Sequence, residues 1–177
     1  MKIAFVIGHH KKSKGAYSKE LNTTEWDFYN KVVESLGNVD VFYHDETISG
    51  YTKRIKNTAR KINKYPFDLV IEMHFNSAVN ESANGCETLY YYGSNKSKEY
   101  AYLFSDIVNE ETNIKSRNGG LKALTNKKDR GFASVYYIKA PTILIEPFFG
   151  SNPFDCLRIK DSKNMARIIN LFIKEIS

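Results

Sequence analysis

The sequence predicts an α/β domain, a twisted and mainly parallel central sheet with helices on both faces. Three observations predict it. Short, strongly apolar runs (Lys2–Ile7, Leu69–His74, Thr142–Glu146) suit strands buried on both faces. Longer segments between them repeat apolar residues three and four apart, which gives a helix one buried stripe. The two patterns alternate along the chain, as a sheet with crossover helices requires.

Gly8 bounds the first run, and Gly8-His9-His10 opens a polar loop that Gly15 turns. Thr23 and Thr24 are N-cap candidates for a helix over 25–36, whose stripe is Phe28, Tyr29, Val32, Val33 and Leu36. Gly37 is its expected stop. A strand over 39–43 and a helix over 51–63 follow, the latter with Ile55, Ala59 and Ile62 inward and ended by Tyr65-Pro66. After the strand ending in His74 come a polar loop over 77–85, a strand over 86–92 and a helix over 98–110. The polar stretch 113–131 is long for a loop, which implies a functional segment or one ordered by short strands. The residues 134–138 read as a strand, and 142–146 as another, stopped by Pro147. Asp161 or Ser162 caps a last helix with Met165, Ile168, Ile169, Phe172, Ile173 and Ile176 on one face. No repeat, linker or low-complexity segment interrupts this order. The expectation is one domain over 1–177 without a separate second module.

The 177 residues are enough for a real core, and 42% hydrophobic and 14% aromatic residues are globular values. No apolar run approaches the roughly 20 residues that span a bilayer. The N-terminal run is too short for a signal peptide and lacks a small-residue cleavage site. Cytoplasmic synthesis without a signal is therefore expected. Cys86 and Cys156 stand alone, without a paired spacing, and read as reduced core residues. The net charge of +6 comes from lysines spread over 11–64, 96–98 and 122–128. Such a diffuse positive surface argues against nucleic acid and favours other polyanions, a bacterial wall among them.

The chain has four histidines, His9, His10, His44 and His74. Two neighbouring strands that end in histidine would aim two imidazoles at one spot on the C-terminal sheet edge. Glu25 shares the inward side of its helix with Phe28 and Tyr29. A helix-start carboxylate is accounted for by the helix dipole, and equally by metal ligation. Glu146 ends a very apolar strand, where a carboxylate is costly without a partner. Imidazole and carboxylate suit Zn²⁺, and a catalytic zinc takes three protein ligands. His9, Glu25 and His74 fill that set and leave Glu146 free as a general base.

With those residues in place, the chain resembles the zinc-dependent N-acetylmuramoyl-L-alanine amidases of type 3, cell-wall hydrolases of bacteria and phages. The resemblance covers almost the whole chain. Gly8-His9-His10 with Gly15-Ala16 is similar to the family's first-strand Gly-His motif and the Gly-Ala after it. Glu25 with Asn30 and Val33 resembles its helix-opening Glu motif. Glu72-Met73-His74-Phe75-Asn76-Ser77 is similar to its His-x-Asn-Ala segment, and Gly85-Cys86-Glu87-Thr88 to its Gly-x-Glu-Thr strand. The most specific match is 140–152, Ala140-Pro141-Thr142-Ile143-Leu144-Ile145-Glu146-Pro147-Phe148-Phe149-Gly150-Ser151-Asn152, which fixes Glu, Phe and Asn at set offsets. The resemblance implies zinc ligands His9, Glu25 and His74 and a catalytic Glu146. His10 stands where the family often has glycine, which leaves His9 and His10 as rivals, with the place after Gly8 favouring His9. Glu20 is a rival for Glu25 but has no apolar stripe in register. Glu72 replaces a small residue and faces the same side of its strand as His74, either to orient an imidazole or to pair with a Lys or Arg. Nothing in the pattern needs His44, which reads as structural or surface.

The implied reaction is hydrolysis of the amide between N-acetylmuramic acid and L-alanine. Zinc would bring the pKa of water to about 7 and polarise the scissile carbonyl, and Glu146 would carry the proton to the leaving amine. Tyr90–Tyr92 and Asn76 are expected along a substrate groove. A monomer that meets its wall substrate after release or lysis, such as a phage or prophage lysin, fits the absence of a signal. The rival readings are a zinc peptidase cutting another peptidoglycan bond and a noncatalytic wall-binding module. A free base beside a complete ligand set argues against the binder.

Overall fold

The computed structural model describes residues 1–177. In chain order its elements are β1 (Ile3–Ile7), β2 (Tyr17–Ser18), β3 (Thr23–Thr24), α1 (Glu25–Leu36), β4 (Asp40–Tyr43), α2 (Tyr51–Ile62), β5 (Leu69–Met73), β6 (Cys86–Tyr91), α3 (Asn95–Thr112), β7 (Ser116–Leu124), α4 (Phe132–Tyr136), β8 (Thr142–Glu146), α5 (Pro153–Ile159) and α6 (Ser162–Ile176). Six strands form one sheet in the order β4-β1-β5-β8-β6-β7, and β2 and β3 make a separate two-stranded ribbon. Every neighbouring pair in the main sheet is parallel except β6 with β8. The predicted α/β class with helices on both faces is therefore found.

Strand alternation sorts the two faces. Phe5, Ile7, Leu69, Ile71, Met73, Ile143 and Ile145 join the core under α1, α3 and α6, with Phe28, Tyr29, Phe104 and Phe172. Each such fully buried side chain contributes on the order of 1.5–3 kcal/mol. The intervening Ala4, Val6 and Val70 pack with Ala59, Ile62 and Phe67 of the α2 side. Leu89 and Leu144 pack with Leu124, Phe132 and Val135 beside α4. Glu72, two residues from Val70, thus projects to the α2 and α4 side. No helix is long and apolar enough to cross a membrane. Cys86 and Cys156 are free and buried, as expected.

Several boundaries and one element type differ from the sequence reading. Residues 134–138, expected as a strand, lie in and after the short helix α4. Gly131 opens it at φ 88°, and Phe132 and Val135, three apart, fill the pocket made by Leu89, Leu124 and Leu144. Packing at helical spacing overrides the β-prone composition there. The long polar stretch after α3 holds the nine-residue strand β7, paired with β6 and interrupted by a register shift. Thr24 is the N-cap of α1, its hydroxyl accepting from the Asp27 amide. The helix α5 and the β2–β3 ribbon were not anticipated. Asn152 caps α5, with Pro153 in its first turn.

Candidate active site

Strands β1, β5 and β8 end side by side, so the loops after them share one edge. A cavity of about 460 Å³ opens there on the α2 and α4 side, lined among others by His9, His74 and Glu146. His9 directly follows Gly8 and takes a left-handed conformation at φ 66°. A bulky residue held there costs energy and marks a constrained site. His74 is the first residue past β5, and its amide donates to the Ile145 carbonyl at 3.0 Å. Glu25, the first residue of α1, reaches the same edge from the opposite side of the sheet. Tyr29, one turn on, donates its phenol to the His74 carbonyl at 2.6 Å and ties α1 to β5.

The structure brings together the three predicted ligands. Glu25 Oε2 lies 3.1 Å from His74 Nδ1 and 3.2 Å from His9 Nε2. All three donor atoms fall within 4.8 Å of one another. Backbone amides fix the carboxylate, with Ala16 N on Oε1 at 2.9 Å and Phe75 N on Oε2 at 3.3 Å. Two glycines clear the space. A Cβ on Gly8 would strike the His74 ring, and one on Gly15 would stand 2.7 Å from His9 Nε2 and 2.8 Å from Glu25 Oε1. His9 Nε2 is buried and makes no hydrogen bond, although it faces Glu25. A buried imidazole nitrogen without a hydrogen bond, beside a second imidazole and a carboxylate, is a donor set that could hold a divalent metal such as zinc.

Charge in this corner is strongly coupled. Burial alone would raise the Glu25 carboxyl, but the hydrogen bond to His74 and the nearby His9 imidazole outweigh it and hold its pKa at about 2. Burial opposes the His74 charge, yet bonds to Glu25 and Glu72 push it up to about 10. Glu72 is the partner of the far side of that ring. Its Oε1 meets His74 Nε2 at 3.1 Å and accepts from the Ser134 hydroxyl at 2.9 Å. His44 Nε2 stands 3.7 Å away, and its Nδ1 meets the Thr58 hydroxyl at 2.9 Å. Against burial, the His44 and His74 imidazoles beside it hold Glu72 well below the usual carboxylate range. Glu72 therefore faces an imidazole and not a Lys or Arg. His44 is buried under the site and not at the surface.

Glu146 sits apart from this cluster. One amide group, Asn76 Nδ2, donates to Glu146 Oε2 at 3.0 Å and to Glu87 Oε1 at 3.1 Å. The antiparallel pairing sets Glu87 opposite Glu146 in register. Burial raises the Glu146 pKa, with Glu87 adding to it and His74 opposing. Glu87, unassigned in the sequence reading beyond its motif, was legible only as the acidic residue of Gly85-Cys86-Glu87-Thr88. Of the rivals, Glu20 is exposed. His10 is buried and lines the cavity but lies outside the three-residue group. The tyrosines expected along a groove do not line this cavity. Tyr90 is buried in the main core, while Tyr91 packs on Tyr92, Phe132 and Tyr136. The Glu, Phe and Asn at set offsets in 140–152 have separate reasons. Glu146 faces the cavity, the buried Phe149 ring lies against the Arg117 guanidinium at 4.7 Å, and the Asn152 side chain caps α5 and donates to the Glu81 carbonyl.

Fold and site together describe an α/β enzyme domain that gathers imidazoles and carboxylates at the C-terminal edge of a mainly parallel sheet. The chain belongs to the N-acetylmuramoyl-L-alanine amidase family, whose model matches residues 3–177. Among solved structures it is similar to the catalytic domain of an endolysin targeting Clostridia Difficile, at 26% identity and TM-score 0.78, covering 99% of this chain and 97% of that one. An N-acetylmuramoyl-L-alanine amidase from Clostridium difficile 630 matches at 24% identity and TM-score 0.75, over 98% and 95% of the two chains. An amidase from Clostridioides difficile, solved in complex with a lipoprotein, matches at 20% and 0.77 over 98% and 96%. No curated protein sequence matches.

Proposed function

We propose that the protein is a zinc-dependent peptidoglycan amidase in which His9, Glu25 and His74 hold the metal and Glu146 is the general base. The observation that carries this reading is the convergence of the three donor atoms within 4.8 Å, with His9 Nε2 free of any hydrogen bond. Bound there, zinc supplies Lewis acidity to the scissile carbonyl and to the attacking water. The protein's own groups do the rest. Glu72 fixes the His74 ring through Nε2, which leaves Nδ1 to face the metal position. Glu146 takes a proton from water and delivers it to the leaving amine of L-alanine. Its raised pKa makes that delivery easier, and Asn76 keeps the carboxylate aimed. We further take 1–177 to be a single catalytic domain that acts as a monomer. It would meet the wall after release or lysis, as a phage or prophage lysin does.

The test is digestion of purified peptidoglycan followed by mass spectrometry, with metal analysis of the same preparation. Near-stoichiometric zinc and new L-alanine N-termini are expected. A cut inside the stem peptide would point instead to a peptidase, and undiminished hydrolysis after chelation would remove the metal.

A further inference from the structure

The cavity extends past the metal corner to a wall that the proposed chemistry does not use. This wall combines the start of α2, through Tyr51 and Thr52, with Arg54 and the loop cations Lys127, Lys128 and Arg130. The four acidic residues of the lining are already engaged. Glu72 holds His74, Glu87 and Glu146 share Asn76, and Asp129 accepts from the Thr125 and Asn126 amides. None of Arg54, Lys127, Lys128 and Arg130 makes an ion pair. Arg54 spends one bond of its guanidinium fork on the Ile48 carbonyl, at 3.2 Å.

Two further features point to an anionic ligand. The twelve-residue helix α2 starts at Gly50 with no side-chain cap and no acidic residue in its first turn, so its amides and dipole present uncompensated positive charge. His10 lines the same cavity at 9% exposure, and its Nδ1 is buried without any hydrogen-bond partner. Free cations, an uncapped helix start and an unpartnered buried imidazole on one cavity describe a site for an anion.

We propose that this wall binds a carboxylate of the substrate's stem peptide, so that the enzyme prefers stems whose carboxylate near the scissile amide is free over stems in which it is a carboxamide. The inference rests on the amidase reading for the identity of the ligand. Arg54 and the amides of α2 form the fixed part of the subsite, and Lys127, Lys128 and Arg130 add screened attraction from the loop.

The experiment measures binding apart from catalysis. Two synthetic muramoyl peptides, identical except for a free carboxylate or a carboxamide on the second stem residue, are titrated into zinc-loaded Glu146→Gln protein. The carboxylate form is expected to bind about tenfold more tightly, with the ratio shrinking as salt rises. The loop variant Lys127→Gln/Lys128→Gln/Arg130→Gln reduces the ratio, and Arg54→Gln brings it near one. Equal binding, absence of binding by both peptides, or a ratio unchanged in both variants would overturn the subsite. The wild-type protein is given the same two peptides in parallel. If it cleaves neither while the binding ratio holds, the amidase reading fails and the anion subsite stands.

Discussion

Glu25 and Glu146 are two carboxylates on one cavity edge, at 3% and 7% exposure, and their environments drive them in opposite directions. Glu25 accepts from two backbone amides and faces two imidazoles, so its charge is strongly favoured. Glu146 faces another carboxylate through a single shared amide, so its charge is disfavoured. Burial is nearly equal, which leaves the partners as the deciding cause. A ligand must stay ionised, whereas a base must be able to gain and lose a proton near the working pH. The residue type is shared, and the neighbours set the charge.

The comparison can be broken hardest at the ligand side. His74→Ala is expected to remove zinc from the purified protein and lytic activity with it, read by metal analysis and turbidity loss. Retained stoichiometric zinc would put the ligand set elsewhere. Glu146→Gln is expected to keep zinc and lower kcat by about 10²- to 10⁴-fold, the usual range for a lost general base. Full activity in that variant would take Glu146 out of the reaction. Glu72→Ala lets the His74 ring turn, and a chelator competition should show zinc held about 10- to 100-fold more weakly. Unchanged affinity would reduce Glu72 to a packing role.

The same contrast is read without metal, in stripped protein, by urea unfolding. Glu25, at about 2 when folded against an ordinary 4.5, contributes stability that is full above pH 4.5 and is lost as pH falls through 2. That contribution is about 3 kcal/mol, shared with the imidazoles it faces. His74, at about 10 against 6.5, contributes stability that is full below pH 6.5 and is lost as pH rises through 10. Maximal stability is therefore expected between pH 4.5 and 6.5. Glu146 acts with the opposite sign, its raised pKa costing stability once it ionises. Glu25→Gln should destabilise the stripped protein at pH 7 and Glu146→Gln should stabilise it. The same sign for both would erase the contrast between the two corners.

How much of this was legible depended on whether the signal was local. The strands ending at His74 and Glu146 announce themselves by apolar runs too continuous for surface segments. Glu25 was legible because its helix carries both a cap and a stripe in register. The second half of the site was not, because it is made by pairing. Glu87 meets Glu146 only through the reversed direction of β6, and no spacing in the chain records that reversal. Ser134 reaches Glu72 from 62 positions away, out of a segment whose composition looks like a strand. His44 had no motif to place it, and only the packing of α2 against β4 puts it beneath Glu72.

The sheet order has a consequence for synthesis. β8 lies between β5 and β6, although both precede it in the chain. A nascent chain that has emerged as far as Phe75 already carries all three proposed ligands and the strands that aim them. It lacks the strand that must slide between its neighbours, and with it Glu146. Closure of the sheet therefore waits on β8, and the proposed base arrives only with that closure.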